Sequence, residues 1–178
     1  YQGTVKMSFS KANVSSDGDY LGGLVGYTNE GNIHNCYSHS TVSGTSYIGG
    51  LIGKAVSTTI RFSYSKGQIN HQGGYGGLVG VQILSSAVGC FWDIETSGLN
   101  TSALGIGKTS DEMKSFSTFE NAGWDITSDI YTNSSFKWGI NQEINDGYPC
   151  FVYEVNEPQP SFVLENPEIK MIQSYSAT

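Results

Sequence analysis

The acidic side chains come nearest, in type and spacing, to a catalytic or metal-binding set. Asp17 and Asp19 flank a glycine, and Asp93 stands two residues before Glu95 in Trp-Asp-Ile-Glu. Either pair could offer oxygen ligands to calcium, but a calcium site needs about six to eight of them. Cleavage of a glycosidic bond would need two carboxylates about 5–10 Å apart on one face. We therefore interpret these acids as turn formers and predict no catalytic or metal site.

Two further groups of residues have types that other proteins use for chemistry. Gly105–Thr109 reads Gly-Ile-Gly-Lys-Thr and looks like the end of a phosphate-binding loop, but Ser102 stands where that loop needs its first glycine. His34, His39 and His71 occupy different places in the repeat described next, which argues against a shared ligand set. We therefore expect a glycine turn and solvent-facing loop histidines, and we predict no cofactor.

A repeated peptide defines the elements that would have to position any functional group. Gly-Gly-Leu-Val-Gly begins at Gly22 and again at Gly76, and Gly-Gly-Leu-Ile-Gly begins at Gly49. Successive copies therefore start 27 residues apart (49 − 22 and 76 − 49). A fixed period of this length indicates that half of the chain is one small unit stacked on copies of itself.

Each unit contains short apolar stretches broken by Gly, Ser, Thr and Asn, a composition typical of strands and turns. About 27 residues can complete one circuit of short strands, and successive circuits would stack about 4.8 Å apart. Equivalent residues then form columns, and the glycines mark corners or close backbone contacts. The expected core residues are Leu24, Leu51, Leu78, Ile33 and Ile60, and the expected aromatic column is Tyr37, Tyr64 and Phe91.

In one strand of the repeat, the alternation of side chains conflicts with the usual burial of cysteine. Strict alternation places Ile33 and Tyr37 on one face and turns Cys36 outward, which is unusual because cysteine is among the most buried residue types. A bend near Asn35 would resolve the conflict, so we expect one there.

The residues after Trp92 leave the repeat and predict a cap. Thr109 can cap a helix in which Glu112 completes a capping box, and Gly123 supplies a left-handed stop. An apolar stripe on this helix would cover the open end of the stack, which otherwise exposes unpaired backbone groups. The stripe consists of Met113, Phe116 and Phe119.

The predicted fold class is all-β: a parallel β-solenoid, or β-helix, of about three 27-residue circuits with a C-terminal cap that contains one short α-helix. The Pro-containing stretch after residue 155 is typical of a stiff connector, and Ser161–Leu164 and Ile169–Ile172 look like strands. The expected domains are the repeats at 1–92, the cap at 93–155 with its helix near 110–121, and a linker with a strand-like tail at 156–178.

Composition narrows the classes of partner. The chain of 178 residues has 9 Lys plus Arg and 16 Asp plus Glu, a formal net charge of −7. The negative net charge argues against nucleic-acid binding, because it repels phosphates. The lack of any apolar run of about 18 residues argues against a membrane-spanning helix. Only 14% of residues are charged, which is typical of secreted β-proteins, so we expect an extracellular or cell-surface location. Because Tyr1 begins within the pattern, we interpret the chain as a piece of a larger protein.

Cysteine and asparagine residues offer sites of covalent modification. Cys36 and Cys90 would lie two circuits apart, roughly 9.6 Å, which is beyond the reach of a disulfide. Cys90 could pair with Cys150 if the cap folds back; alternatively, all three cysteines are buried thiols. The candidate N-glycosylation sites are Asn13, Asn100 and Asn133.

The chain resembles a known family in the repeats and in the block that follows them. It is similar to the GLUG-motif repeats of large bacterial and archaeal surface proteins, including adhesins, in the run GGLVG…GNIHNCYSHSTVSG…YIGGLIG…TIRFSYSKGQI…GGLVG. In this chain the repeats are followed by CFWDIETSGLNTSALGIGKTSDEMKSFSTFENAGWDI, which resembles the closing segment that often follows the last repeat in the family. The resemblance covers about Phe9 to Phe151 and implies an extracellular β-solenoid module without catalytic residues.

Two hypotheses about function follow. The favoured one is a non-catalytic, extracellular structural or adhesive β-solenoid module that assembles end to end into a surface filament. Its partners would be a protein or glycan on a surface, or like subunits joined through the tail. The alternative is an accessory module of a secreted protease or carbohydrate-active enzyme whose catalytic domain lies outside this chain.

Overall fold

The computed structural model describes residues 3–132, 135–156, 161–164 and 171–174. Within these residues the chain forms short strands, four short α-helices and one 3-10 helix. The strands of the repeat region are β1 (Thr4–Ser10), β2 (Val14–Gly22), β3 (Val25–Asn29), β4 (Asn32–Ser38), β5 (Val42–Gly49), β6 (Ile52–Val56), β7 (Thr59–Arg61), β8 (Tyr64–Ser65), β9 (Ile69–His71), β10 (Tyr75–Gly76), β11 (Val79–Ile83), β12 (Ser86–Val88) and β13 (Phe91–Asp93).

The remaining elements belong to the C-terminal part of the chain. The later strands are β14 (Ile106–Lys108), β15 (Ile126–Thr127), β16 (Trp138–Gly139), β17 (Cys150–Phe151), β18 (Ser161–Leu164) and β19 (Met171–Ser174). The helices are α1 (Ile94–Ser97), α2 (Ser110–Met113), α3 (Phe116–Glu120) and α4 (Val152–Asn156), with a 3-10 turn at Asn145–Gly147.

Strands β1–β13 form a parallel β-solenoid of about three circuits, which confirms the predicted fold class. Sheet A contains β1, β4, β7, β8, β12, β13 and also β14; sheet B contains β2, β5, β9 and β10; sheet C contains β3, β6 and β11. All pairings among β1–β13 are parallel, and the 27-residue offset sets the register, as in Val25↔Ile52↔Val79. Each circuit therefore adds one rung to every sheet.

The repeated glycines are close backbone contacts rather than left-handed corners. A Cβ on Gly22 would lie 2.0 Å from the carbonyl oxygen of the residue three positions ahead. The corresponding distances at Gly49 and Gly76 are 1.9 and 2.0 Å. None of the three has a positive φ. The sequence left both roles open, and the structure shows that lack of space selects glycine here.

The left-handed corners lie elsewhere in the repeat, mostly on residues other than glycine. Glu30, Ser57 and Leu84 share one corner, with φ of 54°, 45° and 51° at the 27-residue spacing. A second corner has φ of 52°, 47° and 59° at Asn35, Phe62 and Gly89. The predicted bend near Asn35 is therefore confirmed, and Cys36 is fully buried after it.

The interior of the solenoid contains the predicted aliphatic columns. Leu51, Leu78, Ile33 and Ile60 are buried, whereas Leu24 in the first circuit is only half-buried against them. A second buried cluster consists of four side chains from sheet B together with Leu99: Leu21, Val42, Ile48, Ile69 and Leu99. Burial of these side chains supplies the main driving force for stacking the circuits.

The aromatic column is buried, but on the opposite side of sheet A from the aliphatic core. Tyr37, Tyr64 and Phe91 belong to a cluster separate from the one that contains Ile33 and Cys36. Strict alternation, which would place Ile33 and Tyr37 on one face, is therefore broken, as the bend near Asn35 requires. The left-handed residue at Asn35 interrupts the alternation, so that Cys36 points inward and Tyr37 outward.

The C-terminal part of the chain covers this outward aromatic face along the side of the solenoid. Tyr37 and Tyr64 stack with ring centroids 5.3 Å apart, and Phe9 of the preceding rung stacks on Tyr37 at 4.9 Å. Phe151 packs against Phe9 and Tyr37. At the other end of the column, Phe119 meets Phe91 edge to face at 5.5 Å. The prediction that this part lies only over the open end is corrected accordingly.

A partial further rung, rather than the helix, extends the ladder at its C-terminal end. The amide of Gly77 donates to the carbonyl of Thr101, and the amide of Ala103 donates to that of Val79. Strand β14 then pairs in parallel with β13. These bonds satisfy part of the last sheet edge, as a solenoid terminus requires.

The helix predicted near 110–121 consists of two short helices, α2 and α3. Thr109 and Glu112 form the predicted capping box of α2, and Gly123 ends the segment with φ 78°. Met113 and Phe119 are buried and Phe116 is partly buried, so the predicted apolar stripe is present. Helices α1 and α4 were not predicted. In the tail, β18 pairs with β19 in antiparallel orientation, which confirms the first predicted strand. Strand β19 overlaps the second predicted strand at Met171 and Ile172, and the first two residues of that prediction lie outside the described part of the chain.

Candidate binding surface

A polar groove of about 300 Å³ crosses the three rungs of sheet B. Residues 15–17, 43–45 and 70–72 line it, three from each circuit. The parallel register sets Ser15 beside Ser43 and Ser43 beside Asn70, so that equivalent positions follow one another along the stack. The lining side chains carry hydroxyl, amide, imidazole and carboxylate groups, which donate and accept hydrogen bonds. This is the surface that we call the polar groove.

Four tyrosines of the repeat region form what we call the tyrosine patch: Tyr20, Tyr27, Tyr47 and Tyr75. Tyr20 is half-buried and the other three are exposed. Tyr20 and Tyr47 occupy equivalent left-handed positions and stack with centroids 5.3 Å apart. The third circuit has Gly74 at this position, and a Cβ there would lie 3.4 Å from the Tyr47 ring. The third circuit therefore adds no side chain of its own to the Tyr20–Tyr47 column at this position. Tyr75 contacts His71 of the polar groove, with ring centroids 3.6 Å apart.

Lys54 is the cation of the tyrosine patch. Its Nζ lies 4.6 Å from the Tyr20 ring centroid and 5.8 Å from that of Tyr27. It also donates to the Tyr20 hydroxyl at 3.4 Å. Lys54 therefore belongs to the Tyr20–Tyr27 end of the patch, and the lining of the polar groove contains no lysine or arginine among the described residues.

A second, less polar opening of about 340 Å³ lies at the first rung and is called the N-terminal opening. Val5, Val25 and Ile33 line it, with Tyr27 at its edge. Strands β1, β2 and β3 each pair on one side only within the described part of the chain. Among the described residues, the outer edge of the first rung therefore has no partner strand beside this apolar opening.

Asp17 and Asp19, considered above for calcium or glycoside chemistry, and Glu30, the other acid of the repeats, lie at different positions. Asp17 lines the polar groove, Asp19 is exposed in β2, and Glu30 is the exposed residue of a left-handed corner. Over residues 3–156 apart from 133 and 134, no three His, Cys, Asp or Glu side chains are grouped so that they could hold a metal ion. Asp17 and Asp19 lie within strand β2, close to its register irregularity, so the prediction that they are turn formers is wrong for them.

Asp93 has a structural role that the sequence reasoning missed. It is fully buried, and its Oδ1 accepts from the amides of Glu95 and Thr96 as the N-cap of α1. Its Oδ2 accepts from the Ser110 hydroxyl at 2.7 Å and from the Tyr148 hydroxyl at 2.6 Å. Asp93 thus joins the last circuit to α2 and to the C-terminal segment, and its charge is satisfied within the protein. Burial, together with this carboxylate, raises the pKa of Tyr148.

The segment that looks like a phosphate-binding loop is a strand followed by a very short helix. Gly105 has φ 95°, Ile106–Lys108 forms β14, and Thr109 caps the four-residue α2. Lys108 bonds to Glu112 at 2.9 Å. This confirms the prediction of a glycine turn that leads into a capped helix.

The histidines differ in their surroundings. The His71 side chain is exposed, as predicted. The His34 and His39 side chains are half-buried, so the prediction that they face solvent is wrong. His39 packs among the aromatic rings under the C-terminal segment, with Nε2 2.7 Å from the Tyr64 hydroxyl. Burial, reinforced by Lys66, lowers the pKa of His39 to about 3. Its neutral form therefore belongs to the folded structure at physiological pH.

The three cysteines are free thiols and all are buried. Cys90 lies in the interior of the solenoid and Cys150 in a separate apolar cluster under the C-terminal segment, so the suggested pair is not a disulfide in this structure. Burial raises the pKa of each of these two thiols to about 12. They are therefore inert small apolar residues rather than nucleophiles.

The candidate glycosylation sites lie at the surface where the structure describes them. Asn13 follows β1 and is exposed, and Asn100 is exposed before the partial rung. Asn133 lies outside the described residues. The side chains of the first two are therefore accessible to solvent.

Sequence reasoning also missed the contacts that fix the C-terminal segment to the solenoid. The Tyr37 hydroxyl donates to the Glu154 carboxylate at 2.8 Å, and burial and this carboxylate raise the pKa of Tyr37. The Tyr64 hydroxyl donates to the Pro149 carbonyl at 2.6 Å, and Trp138 Nε1 donates to Asn35 Oδ1. These partners are 85 to 117 residues apart, so local patterns carry no signal for them.

Comparisons with known proteins agree with the repeat. The family model described as the GLUG motif matches residues 17–43. No curated protein and no solved structure gave a significant match. Among the described residues, no helix is long and apolar enough to cross a membrane. The matched stretch runs from the bend of β2 through β3 and β4 to the start of β5, one full turn through all three sheets. The chain therefore carries the GLUG motif, and the matched residues form one circuit of a parallel β-solenoid.

Proposed function

We propose that this chain is a non-catalytic, extracellular structural or adhesive module that presents binding surfaces on a rigid stack. The observation that carries the proposal is the in-register parallel ladder, which repeats the same surface positions along its length. Stacked repeats of this kind build extended surfaces in which each circuit contacts its neighbours. The acidic net charge of −7 and the hydroxyl-rich groove favour contact with uncharged or cationic partners.

Location and adhesion can be tested directly on the source cells. Antibodies raised against the purified chain should label intact cells, and brief protease treatment of intact cells should remove the label. Beads coated with the chain should adhere to a cell or matrix surface more than beads coated with heat-denatured chain. Label that appears only after permeabilisation, or equal adhesion of both bead types, would refute the proposal.

End-to-end assembly is the finer part of this proposal. The one-sided pairing of β1, β2 and β3 around the N-terminal opening supports it, because an open strand edge can accept a further strand. A tail strand of a second copy would provide that strand. This assembly would turn single stacks into a filament.

Sizing by light scattering and electron microscopy of the full chain should then show concentration-dependent filaments or oligomers. A chain ended at Asn156 should be monomeric. Tyr27→Lys, which places a charge beside the N-terminal opening, should weaken assembly, whereas Tyr131→Lys at another exposed tyrosine should not. A full chain that stays monomeric at all concentrations would exclude this mode of assembly.

The alternative function, an accessory module of a secreted protease or carbohydrate-active enzyme, draws support from the polar groove. Such modules hold an enzyme on its substrate without catalysing the reaction. The parent gene decides between the two functions: a catalytic domain beside this segment supports the alternative. Further repeats with an anchor or export signal support the adhesive module.

A further inference from the structure

The polar groove has the chemistry of a carbohydrate-binding surface. Its walls offer hydroxyls from Ser43 and Thr45 and amides from Asn70 and Gln72, which can both donate and accept hydrogen bonds. Two of these groups are already oriented: Asn70 donates to the Ser43 hydroxyl at 3.1 Å, and Thr45 donates to the Asp17 carbonyl at 3.1 Å. Gln72 is exposed and has no hydrogen bond within the described part of the chain. A ligand dense in hydroxyl groups matches this set.

Aromatic rings stand beside these polar groups. Tyr75 is 39% exposed and lies against His71, a residue of the groove itself. Gly74, at the equivalent position of the third circuit, adds no side chain over the exposed Tyr47 ring. The C–H groups on one face of a sugar ring pack on aromatic rings, while its hydroxyls bond to amides and hydroxyls at the side. The groove and the adjoining rings therefore supply both kinds of contact that a sugar ring makes.

The acidic character of the groove favours uncharged carbohydrates over anionic ones. The described groove lining contains one carboxyl group, that of the exposed Asp17, and no lysine or arginine, and the whole chain has a net charge of −7. Lys54 lies at the other end of the tyrosine patch, over Tyr20. A uronate or sulfated chain would meet a carboxylate without a compensating cation, which costs affinity. An uncharged chain meets no such penalty.

We propose that the polar groove binds an uncharged polysaccharide, with a sugar ring packed on Tyr75 and its hydroxyls bonded to Gln72 and Asn70. The inference rests on the proposed adhesive function and names its ligand class. The groove crosses three rungs, roughly 9.6 Å between the outer two, so it holds a short stretch of a chain rather than a single sugar. Longer stacks of the same circuit would lengthen the groove without a change in its chemistry.

Binding can be measured with the full chain on a glycan array that carries neutral hexose and N-acetylhexosamine oligosaccharides together with uronate and sialylated ones. Isothermal titration with the best neutral member then gives Kd. We expect Tyr75→Ala and Gln72→Ala each to raise Kd about tenfold or more, because each removes a direct contact. Tyr131→Ala is the matched control, since Tyr131 is an exposed tyrosine remote in sequence from the groove. Circular dichroism of each variant verifies the fold.

The possible results distinguish failure of the carbohydrate proposal from failure of the proposed adhesive function. No binding to any neutral member, binding only to anionic members, or equal loss in Tyr131→Ala would each overturn the carbohydrate proposal. Bead adhesion that persists in Tyr75→Ala and Gln72→Ala would leave the adhesive function intact and assign it to another surface. Loss of bead adhesion in both variants, together with the rise in Kd, supports both proposals.

Discussion

Replacement of Gly49 by alanine should destabilise the solenoid more than most single substitutions. An alanine Cβ at this position would lie 1.9 Å from the carbonyl oxygen of Ile52 and 2.7 Å from the amide nitrogen of Gly80. Both neighbours are backbone atoms, so neither can rotate away. The Cβ and the Ile52 oxygen must separate by at least about 1.1 Å to reach 3.0 Å, below which real contacts are essentially not found.

The loss in the free energy of unfolding can be worked out from the hydrogen bonds around Gly49. The amide of Gly23 donates to the carbonyl of Gly49, and the amide of Gly50 donates to that of Gly76, each at 3.3 Å. A shift of about 1 Å breaks both bonds, at a net cost of about 1 kcal/mol each. Overpacking of a rigid interior adds about 1–3 kcal/mol. We therefore expect Gly49→Ala to lower the free energy of unfolding by about 3–5 kcal/mol, a large share of the stability of an ordinary domain.

Equilibrium unfolding in urea measures this change, with the fluorescence of the buried Trp92, Trp124 and Trp138 as the signal. Gly3→Ala is the matched control, because a Cβ there would have no atom within 4 Å. This control should stay within about 0.5 kcal/mol of the native chain. If Gly49→Ala unfolds within about 1 kcal/mol of the native chain and with an unchanged m-value, the close-contact account of the repeat glycines is refuted.

Three further predictions concern the C-terminal part and the buried ionisable groups. Thr109→Ala should lower the free energy of unfolding in urea by about 1 kcal/mol because it removes the hydroxyl that caps α2. Ser115→Ala should cost far less, because the Ser115 side chain bonds to the Ser117 hydroxyl and caps no amide of α3; equal losses would contradict this. The unfolded chain protonates His39 near pH 6.5 and the folded chain only near pH 3, so stability should fall as pH drops through this window. His39→Gln should flatten that slope and His71→Gln should not, as read from urea midpoints between pH 7 and 4; an unchanged slope in His39→Gln would count against burial of the ring. Iodoacetamide should label no cysteine in the native chain and all three after unfolding without reductant, as counted by mass spectrometry; one adduct would reveal a disulfide.

The stacking of the chain could be predicted because it depends on local and periodic features. Equal spacing of Gly22, Gly49 and Gly76 requires circuits of equal length, and circuits of equal length align the same side chains in each rung. The capping box at Thr109 and the left-handed stop at Gly123 were also predictable, since each depends on residues within one helical turn. The single predicted helix became two because Lys114, the C-cap of α2, departs from helical geometry at φ −102°, ψ 4°.

The candidate binding surface was only partly visible in the sequence. Ser43 and Asn70 stand one period apart, so their alignment in one column could have been predicted from the repeat. The groove itself depends on how β2, β5 and β9 bend, and this bending includes an irregularity in the register between Ser16 and Asp19. The contact between Tyr75 and His71 arises where the third circuit departs from its neighbours, which no repeat pattern encodes.

By itself, the sequence determined that this chain is a parallel stack with a 27-residue register, because identical spacing leaves one alignment in which every apolar column is continuous. Only the tertiary structure decided the side on which the aromatic column lies. A left-handed residue at Asn35 and its equivalents reverses the alternation of side chains, and that reversal turns Tyr37 and Tyr64 outward. The outward rings required a cover, and residues such as Phe151 and Trp138, far away in sequence, provide it. Such distant partners meet through packing, which spacing along the chain does not specify.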